Sequence, residues 1–361
     1  MLKATMDYRR LGQAGLRVSA LSYGTWVTFA EQGDFDRALQ CLDIAGRAGV
    51  NLFDTADAYG NGEAERLLGL GFETLGWDRA AYVLATKLFV GTRDCVNMRQ
   101  TLNRKYLLQG IEDSLQRLRT DFVDLLYCHR PDPHTPLEET VWAMSDIVAR
   151  GKALYWGTSG WSPAQILEAC AIAERHHLRK PTMEQSEYHL LARERIERDG
   201  AAIHRDHGIG LTTWSPLASG LLSGKYAGGI PAGSRAAQRG FAWLQPRLCD
   251  AADNRRVQRM QAVAQRFGAS AAQLAIAWCT CHPAVASVTL GASSPAQLRE
   301  NLAAIALAPL LDGDTLRELD ALFPAGAAAS LDTPTNTSTN APTGAENTGT
   351  STFSPSSFSL K

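Results

Sequence analysis

Short apolar, β-branched runs alternate along this chain with longer stretches of helical periodicity, and the alternation repeats eight times. The runs are Leu21–Tyr23, Asn51–Asp54, Tyr82–Thr86, Phe122–Tyr127, Ala153–Gly157, Thr182–Gln185, Gly210–Trp214 and Ala286–Leu290. Between them apolar residues recur at spacings of three and four, as in Leu108, Ile111, Leu115 and Leu118, or in Leu137, Val141, Met144 and Val148. A strand followed each time by a helix predicts parallel pairing. Eight such units predict a closed (β/α)8 TIM barrel, because a doubly wound sheet usually carries fewer strands. A β-hairpin over residues 8–18, turning at Gly12-Gln13-Ala14-Gly15, precedes the alternation. The barrel is expected over residues 1–324 of 361, a size that one α/β domain accommodates.

Two segments fall outside this pattern. Residues 215–252, rich in Gly, Pro, Ser and Arg, form a long loop after the seventh strand, of the kind that acts as a lid. Residues 325–361 are Ala, Ser, Thr, Pro, Asn and Gly with only Asp332, Glu346 and Lys361 charged, and are expected to be a disordered tail. Lys and Arg number 36 against 37 Asp and Glu, so no whole-chain field draws nucleic acid or an anionic membrane. Seven scattered cysteines suit a reducing compartment better than a disulfide framework. Met1–Ala20 holds no signal-peptide apolar core, and no run approaches the roughly 20 apolar residues that span a bilayer. These features predict a cytoplasmic protein without membrane insertion; Asn336-Thr337-Ser338 is then an idle glycosylation pattern.

Three of the apolar runs lead into ionisable residues: Asp54, Lys87 and His129, with Tyr59 five residues beyond Asp54. In a parallel barrel the chemistry sits at the C-terminal ends of the strands, where these residues fall. A hydride reaching a carbonyl carbon leaves negative charge on oxygen, which a proton donor must quench. Tyr59 is the candidate donor. Its phenol has an ordinary pKa of about 10, which the Lys87 ammonium is expected to lower. Asp54 would hold that ammonium and offset its burial. The plainer alternative is a structural Asp54–Lys87 pair, a tyrosine packed on a loop and a core histidine. Cys279-Thr280-Cys281-His282 lacks a fourth ligand at useful spacing, so no metal site is expected. Glu184 and Glu187 with Asp54 could make a glycosidase carboxylate pair, but the tyrosine and lysine would then have no role. His204 and His207 are expected on a solvated helix face, and His176-His177 at a helix end.

No Gly-x-Gly-x-x-Gly follows a strand, so a Rossmann module is not the hydride source. The run Gly49–Gly60 (GVNLFDTADAYG) resembles the aldo-keto reductase signature, and Leu125–Asp132 and Gly291-Ala292-Ser293 follow it in the family's order. The similarity runs from about Tyr8 to Phe323. Gly24–Phe29, Arg130–Pro133, Tyr155–Ser159, Trp214–Ala218 and Ala275–Cys279 resemble the branch holding the β-subunits of voltage-gated potassium channels. Asn103–Leu108 and Gly151–Tyr155 are also similar to the bacterial glyceraldehyde-phosphate reductases of that branch.

The resemblance implies reduction of aldehydes or ketones by a nicotinamide dinucleotide lying across the barrel mouth. His129 would orient a small carbonyl substrate and share the proton donation of Tyr59. Thr25, Trp26, Gln32 and Asp54 would line the nicotinamide end, and Ser159 and Gln185 would bind its carboxamide. Trp214, Ser215, Pro216, Leu217, Ala218 and Ser219 would cover the ring and pyrophosphate. Lys225, Arg235, Gly291, Ser293, Gln297, Glu300 and Asn301 would hold the adenosine end. Two cations and the amides opening a helix suit a 2′-phosphate, which favours NADPH over NADH. The branch also implies a homo-oligomer, a tetramer or larger. Channel β-subunits carry asparagine at the position of His129 and arginine at that of Gly160, and only about seven residues precede the hairpin here. These departures favour catalysis over the alternative, a redox-sensing NADP(H)-binding channel subunit.

Overall fold

The computed structural model describes residues 5–26, 34–238 and 240–325. Gln32 and residues 326–361 lie outside these. Strands β1 (Tyr8–Arg10) and β2 (Arg17–Ser19) form the antiparallel hairpin. The next eight are parallel and close into a barrel: β3 (Leu21–Gly24), β4 (Leu52–Asp54), β5 (Val83–Leu88), β6 (Val123–Cys128), β7 (Ala153–Ser159), β8 (Met183–Glu187), β9 (Gly210–Trp214) and β10 (Val285–Leu290), with β10 returning to β3. The expected TIM barrel is the observed fold.

Around the barrel run α1 (Phe35–Arg47), α2 (Glu63–Leu75), α3 (Arg104–Leu118), α4 (Leu137–Ala149), α5 (Pro163–Arg175) and α6 (Ala201–Asp206). They continue with α7 (Gln245–Leu248), α8 (Ala251–Gln265), α9 (Ala271–Cys281), α10 (Pro295–Leu302) and α11 (Gly313–Leu322). Their starts follow from capping chemistry: the side chains of Asp34, Asn103, Ser162 and Ser270 accept backbone N–H bonds from the first turns of α1, α3, α5 and α9. Among the described residues no helix is long and apolar enough to cross a membrane.

Strand alternation decides which side chains reach the barrel axis. Leu52, Val83, Ala85, Leu125, Tyr127 and Met183 pack together inside, whereas Phe53, Leu84, Leu126 and Cys128 join the outer core under the helices. Continuing each inner set by two residues reaches Asp54, Lys87, His129 and Gln185. The polar residues at the strand ends therefore stand on the inner face of the mouth.

The hairpin covers the opposite end of the barrel. Its Leu11 and Val18 pack into the inner cluster. Gly12 (φ +58°) lies so close to the start of β9 that an added Cβ would stand 2.2 Å from the Gly208 carbonyl oxygen. The neighbouring Gln13 N–H donates to that same oxygen at 2.9 Å.

One expectation is refined and one corrected. The long connection after β9 carries short helical turns at 218–223, 235–237 and 242–244 and then α7, with α8 beginning at Ala251. Buried Leu221, Leu222, Tyr226, Leu244 and Leu248 hold the segment down, an apolar content that Gly and Pro richness obscured. His204 is half-buried and bonds to the Ile209 oxygen at 2.9 Å instead of facing solvent; His207 is exposed.

Candidate active site

Lys87 comes from the inner face of β5 and is buried. Its Nζ donates to Asp54 Oδ2 at 2.5 Å, to the Thr55 carbonyl oxygen at 2.7 Å and to the Tyr59 hydroxyl at 3.3 Å. Asp54 uses its other oxygen to accept from Gln185 Nε2 at 2.9 Å. A buried ammonium is tolerable only when its protons are so paired. Burial lowers the Lys87 pKa, but Asp54 and Tyr59 outweigh it and the net direction is upward, so the group stays an ammonium.

Tyr59 lies at the head of a bend in which Gly60, Asn61 and Gly62 all take positive φ (58°, 53° and 89°), which turns the chain sharply into α2. Its ring stands 5.8 Å from the His129 ring, edge to face, and 6.3 Å from Trp26. Burial raises the phenol pKa and Lys87 only partly counteracts it, so the net shift is upward. The lowering expected from the ammonium alone is thereby corrected, because desolvation of the phenolate is the larger effect.

His129 follows the end of β6, with its N–H on the Leu88 oxygen at 3.0 Å and its Nδ1 buried without a hydrogen-bond partner. Burial first, and then Arg130 and Lys87, push its pKa well below the usual value. The imidazole is therefore neutral near pH 7, with one ring nitrogen carrying a proton and the other able only to accept. Asp54, Tyr59, Lys87 and His129 thus meet at one mouth.

The remaining predicted residues ring this centre unevenly. Thr25 is buried and bonds to the Thr55 hydroxyl at 2.9 Å. Ser159 is buried on the inner face of β7, paired in register with Gln185. Beyond Trp214, the non-glycine residues Ser215, Ala218 and Ser219 take positive φ (56°, 48° and 59°), strain of the kind that gathers at ligand sites. Pro216 is buried there and Leu217 half-buried. Lys225 packs on Gly220, and partial desolvation and then the nearby Arg235 lower its pKa. Two cations that repel each other fit an anion between them. Arg235 also lies 4.7 Å over the Trp26 ring.

At the start of α10 the Ser293 N–H and hydroxyl both donate to Gln297 Oε1 at 2.8 Å, so these two residues bind each other. Gly291 and Glu300 are exposed and Asn301 is buried. The Cys279–His282 segment ends α9, and no group of metal-ligating residues occurs among the described residues.

Two residues outside the predicted site set also contribute. Glu184, considered only as a glycosidase carboxylate, accepts from the Thr158 hydroxyl at 2.5 Å, the Ser186 hydroxyl at 2.7 Å and the Gly160 N–H at 2.8 Å, bracketing Ser159. Arg130 donates to the His129 oxygen at 2.8 Å and reaches 5.9 Å from the Trp214 ring. Gly160 takes φ +69°, the left-handed region that favours glycine, and an added Cβ there would make an ordinary 3.5 Å contact with Arg130 Nη1.

Comparison with known proteins gives the family. The aldo/keto reductase family profile matches residues 20–323. The chain is 46% identical over 318 residues to a probable voltage-gated potassium channel subunit beta of Oryza sativa subsp. japonica, covering 88% of this chain and 96% of that protein. It is 45% identical over 316 residues to a protein of the same description from Arabidopsis thaliana, covering 87% and 96%. A closed eight-stranded barrel with tyrosine, lysine, aspartate and histidine at its mouth, matched by the family profile along most of its length, places this chain in the aldo/keto reductase family.

Proposed function

We propose that this protein reduces aldehydes or ketones with NADPH. The observation that carries the reading is the contact of the Tyr59 hydroxyl with a buried, carboxylate-paired ammonium beside a neutral imidazole. NADPH, when bound, supplies the hydride. Trp26, Ser159, Gln185 and the strained 214–219 segment suit its nicotinamide end, and Lys225 and Arg235 suit its 2′-phosphate.

The chain's own residues manage the proton. His129, kept neutral by burial, donates a hydrogen bond from its protonated ring nitrogen that turns the carbonyl oxygen toward Tyr59. The Tyr59 hydroxyl gives up its proton as charge develops on that oxygen. Lys87 stabilises the phenolate left behind, and its pairing with Asp54 keeps the ammonium fixed throughout. Because burial raises the phenol's pKa, the tyrosine stays protonated until this moment. Replacing Tyr59 with Phe should lower turnover about 10²–10⁴-fold with little change in NADPH affinity; unchanged turnover overturns the reading.

The names of the plant relatives favour a second reading, in which bound NADP(H) acts as a ligand that biases a channel partner. Protein that binds NADPH yet leaves it unoxidised across a diverse aldehyde panel, and that co-purifies with a channel, would support it.

A further inference from the structure

Tyr59 lies in the loop after β4 and Lys87 next to the end of β5, so their 3.3 Å separation depends on how the loops that follow these two strands are fixed to each other. One buried pair fixes both. Asp57, two residues before Tyr59, and Tyr106, in the first turn of α3, are buried and hydrogen-bonded to each other, the Tyr106 hydroxyl donating to Asp57 Oδ2. The same Oδ2 accepts the Gly91 N–H at 2.9 Å, and the Tyr106 oxygen accepts the Phe89 N–H at 3.1 Å. Phe89 lies two residues after Lys87. The Asp57 N–H closes the circuit on the Lys87 carbonyl oxygen at 3.2 Å.

From this geometry we infer that Asp57 and Tyr106 are positioning residues, a two-residue clasp that holds the Tyr59 hydroxyl against Lys87. Neither touches the reacting groups. The clasp acts through the backbone on either side of them, gripping one loop just before the phenol and the other just after the ammonium. Glu65 of α2 secures the flank: it accepts the Thr86 hydroxyl at 2.6 Å, next to Lys87, and is itself held by Arg117 Nε at 2.6 Å. A misplacement of about 1 Å at such a contact costs roughly a hundredfold in rate.

The inference rests on Tyr59 being the proton donor, so the test carries a readout independent of turnover. Tyr106→Phe keeps the ring and removes the hydroxyl. It should lower kcat about 10- to 100-fold, with KM and NADPH affinity changed less than about threefold. Hydrogen exchange should quicken in peptides covering residues 55–62 and 88–92, with exchange on the far side of the barrel unchanged. Asp57→Ala should reproduce both effects, and the double variant should be no worse than either alone, as expected of one unit. Asp57→Asn, whose amide oxygen still accepts from Tyr106 and Gly91, should recover most of what Asp57→Ala loses; it also serves if Tyr106→Phe does not fold. A kcat for Tyr106→Phe within twofold of the parent, additive losses in the double variant, or unchanged exchange in the two loops overturns the clasp. Tyr59→Phe in the same assay separates the two ideas. If it keeps full turnover, the donor assignment fails while loop exchange still reports on the clasp.

Discussion

The Arg235 guanidinium carbon lies 4.7 Å from the centre of the Trp26 ring. That contact joins the segment after β9 to the end of β3. Phe241, from the same segment, approaches Trp26 from 6.4 Å. Trp26 therefore touches the covering segment and, at 6.3 Å, the ring of Tyr59. If Arg235 also meets a 2′-phosphate, Arg235→Ala should weaken NADPH binding about tenfold or more, the worth of one charge-assisted hydrogen bond, and leave NADH binding almost unchanged. Titration calorimetry with both dinucleotides checks this; equal losses for the two would put the contact elsewhere on the cofactor.

His129 is held neutral by burial, helped by Arg130 and Lys87. Turnover should therefore show no histidine limb between about pH 6 and 8, where a free imidazole titrates. The stability consequence has a definite sign. The folded pKa is depressed, so below about pH 6.5 the unfolded chain takes up a proton that the folded one refuses, and stability falls as pH falls. His129→Gln should lose turnover by roughly a hundredfold and lose less stability than the parent between pH 7 and 5 in urea titrations. An identical pH slope in the two proteins would count against this account.

Asp57 behaves in the opposite sense. Burial, with Glu65 nearby, raises its carboxyl to about 6 against the lowering influence of Tyr106, Gly91 and Arg117. The folded state thus holds a proton that the unfolded state has released, and stability declines as pH rises from about 4 through about 6. The full cost at pH 7 is on the order of 2–3 kcal/mol. Asp57→Asn keeps the acceptor and removes the charge, so it should melt higher than the parent at pH 7 and no higher at pH 4. Scanning calorimetry at the two pH values decides the matter.

Removing the partner of the buried ammonium should be the most disruptive single change at the mouth. Asp54→Leu leaves Lys87 with only the Thr55 carbonyl and the Tyr59 hydroxyl. An uncompensated buried charge costs about 3–5 kcal/mol. The double variant Asp54→Leu/Lys87→Met removes both charges and should recover much of the lost stability without recovering turnover. Denaturant midpoints for the single and double variants test the first point, and a carbonyl-reduction assay tests the second.

The barrel strands were legible because most are short runs of apolar and β-branched residues in regular alternation with helical patterns, whereas β8, Met-Glu-Gln-Ser-Glu, shows only by its place in that alternation. Their ends were less so. β5 continues past Thr86 to Leu88, β7 past Gly157 to Ser159 and β8 past Gln185 to Glu187. Backbone pairing carries on into the polar mouth, where hydropathy no longer reports it. Asp54, Lys87, His129 and Tyr59 were visible as polar residues interrupting or following apolar runs. The pairing of Asp57 with Tyr106 was not, since the two are 49 residues apart and no local pattern announces their meeting. Net pKa direction was hidden for a related reason: sequence suggested the ammonium beside Tyr59 but not how much water the fold removes.

The hairpin seated on the start of β9 gives the barrel a floor. With Leu11 and Val18 packed onto the inner cluster of Leu52, Val83, Ala85, Leu125, Tyr127 and Met183, the barrel is solid beneath its mouth, and the polar residues there stand on a rigid apolar plug that reaches down to the hairpin.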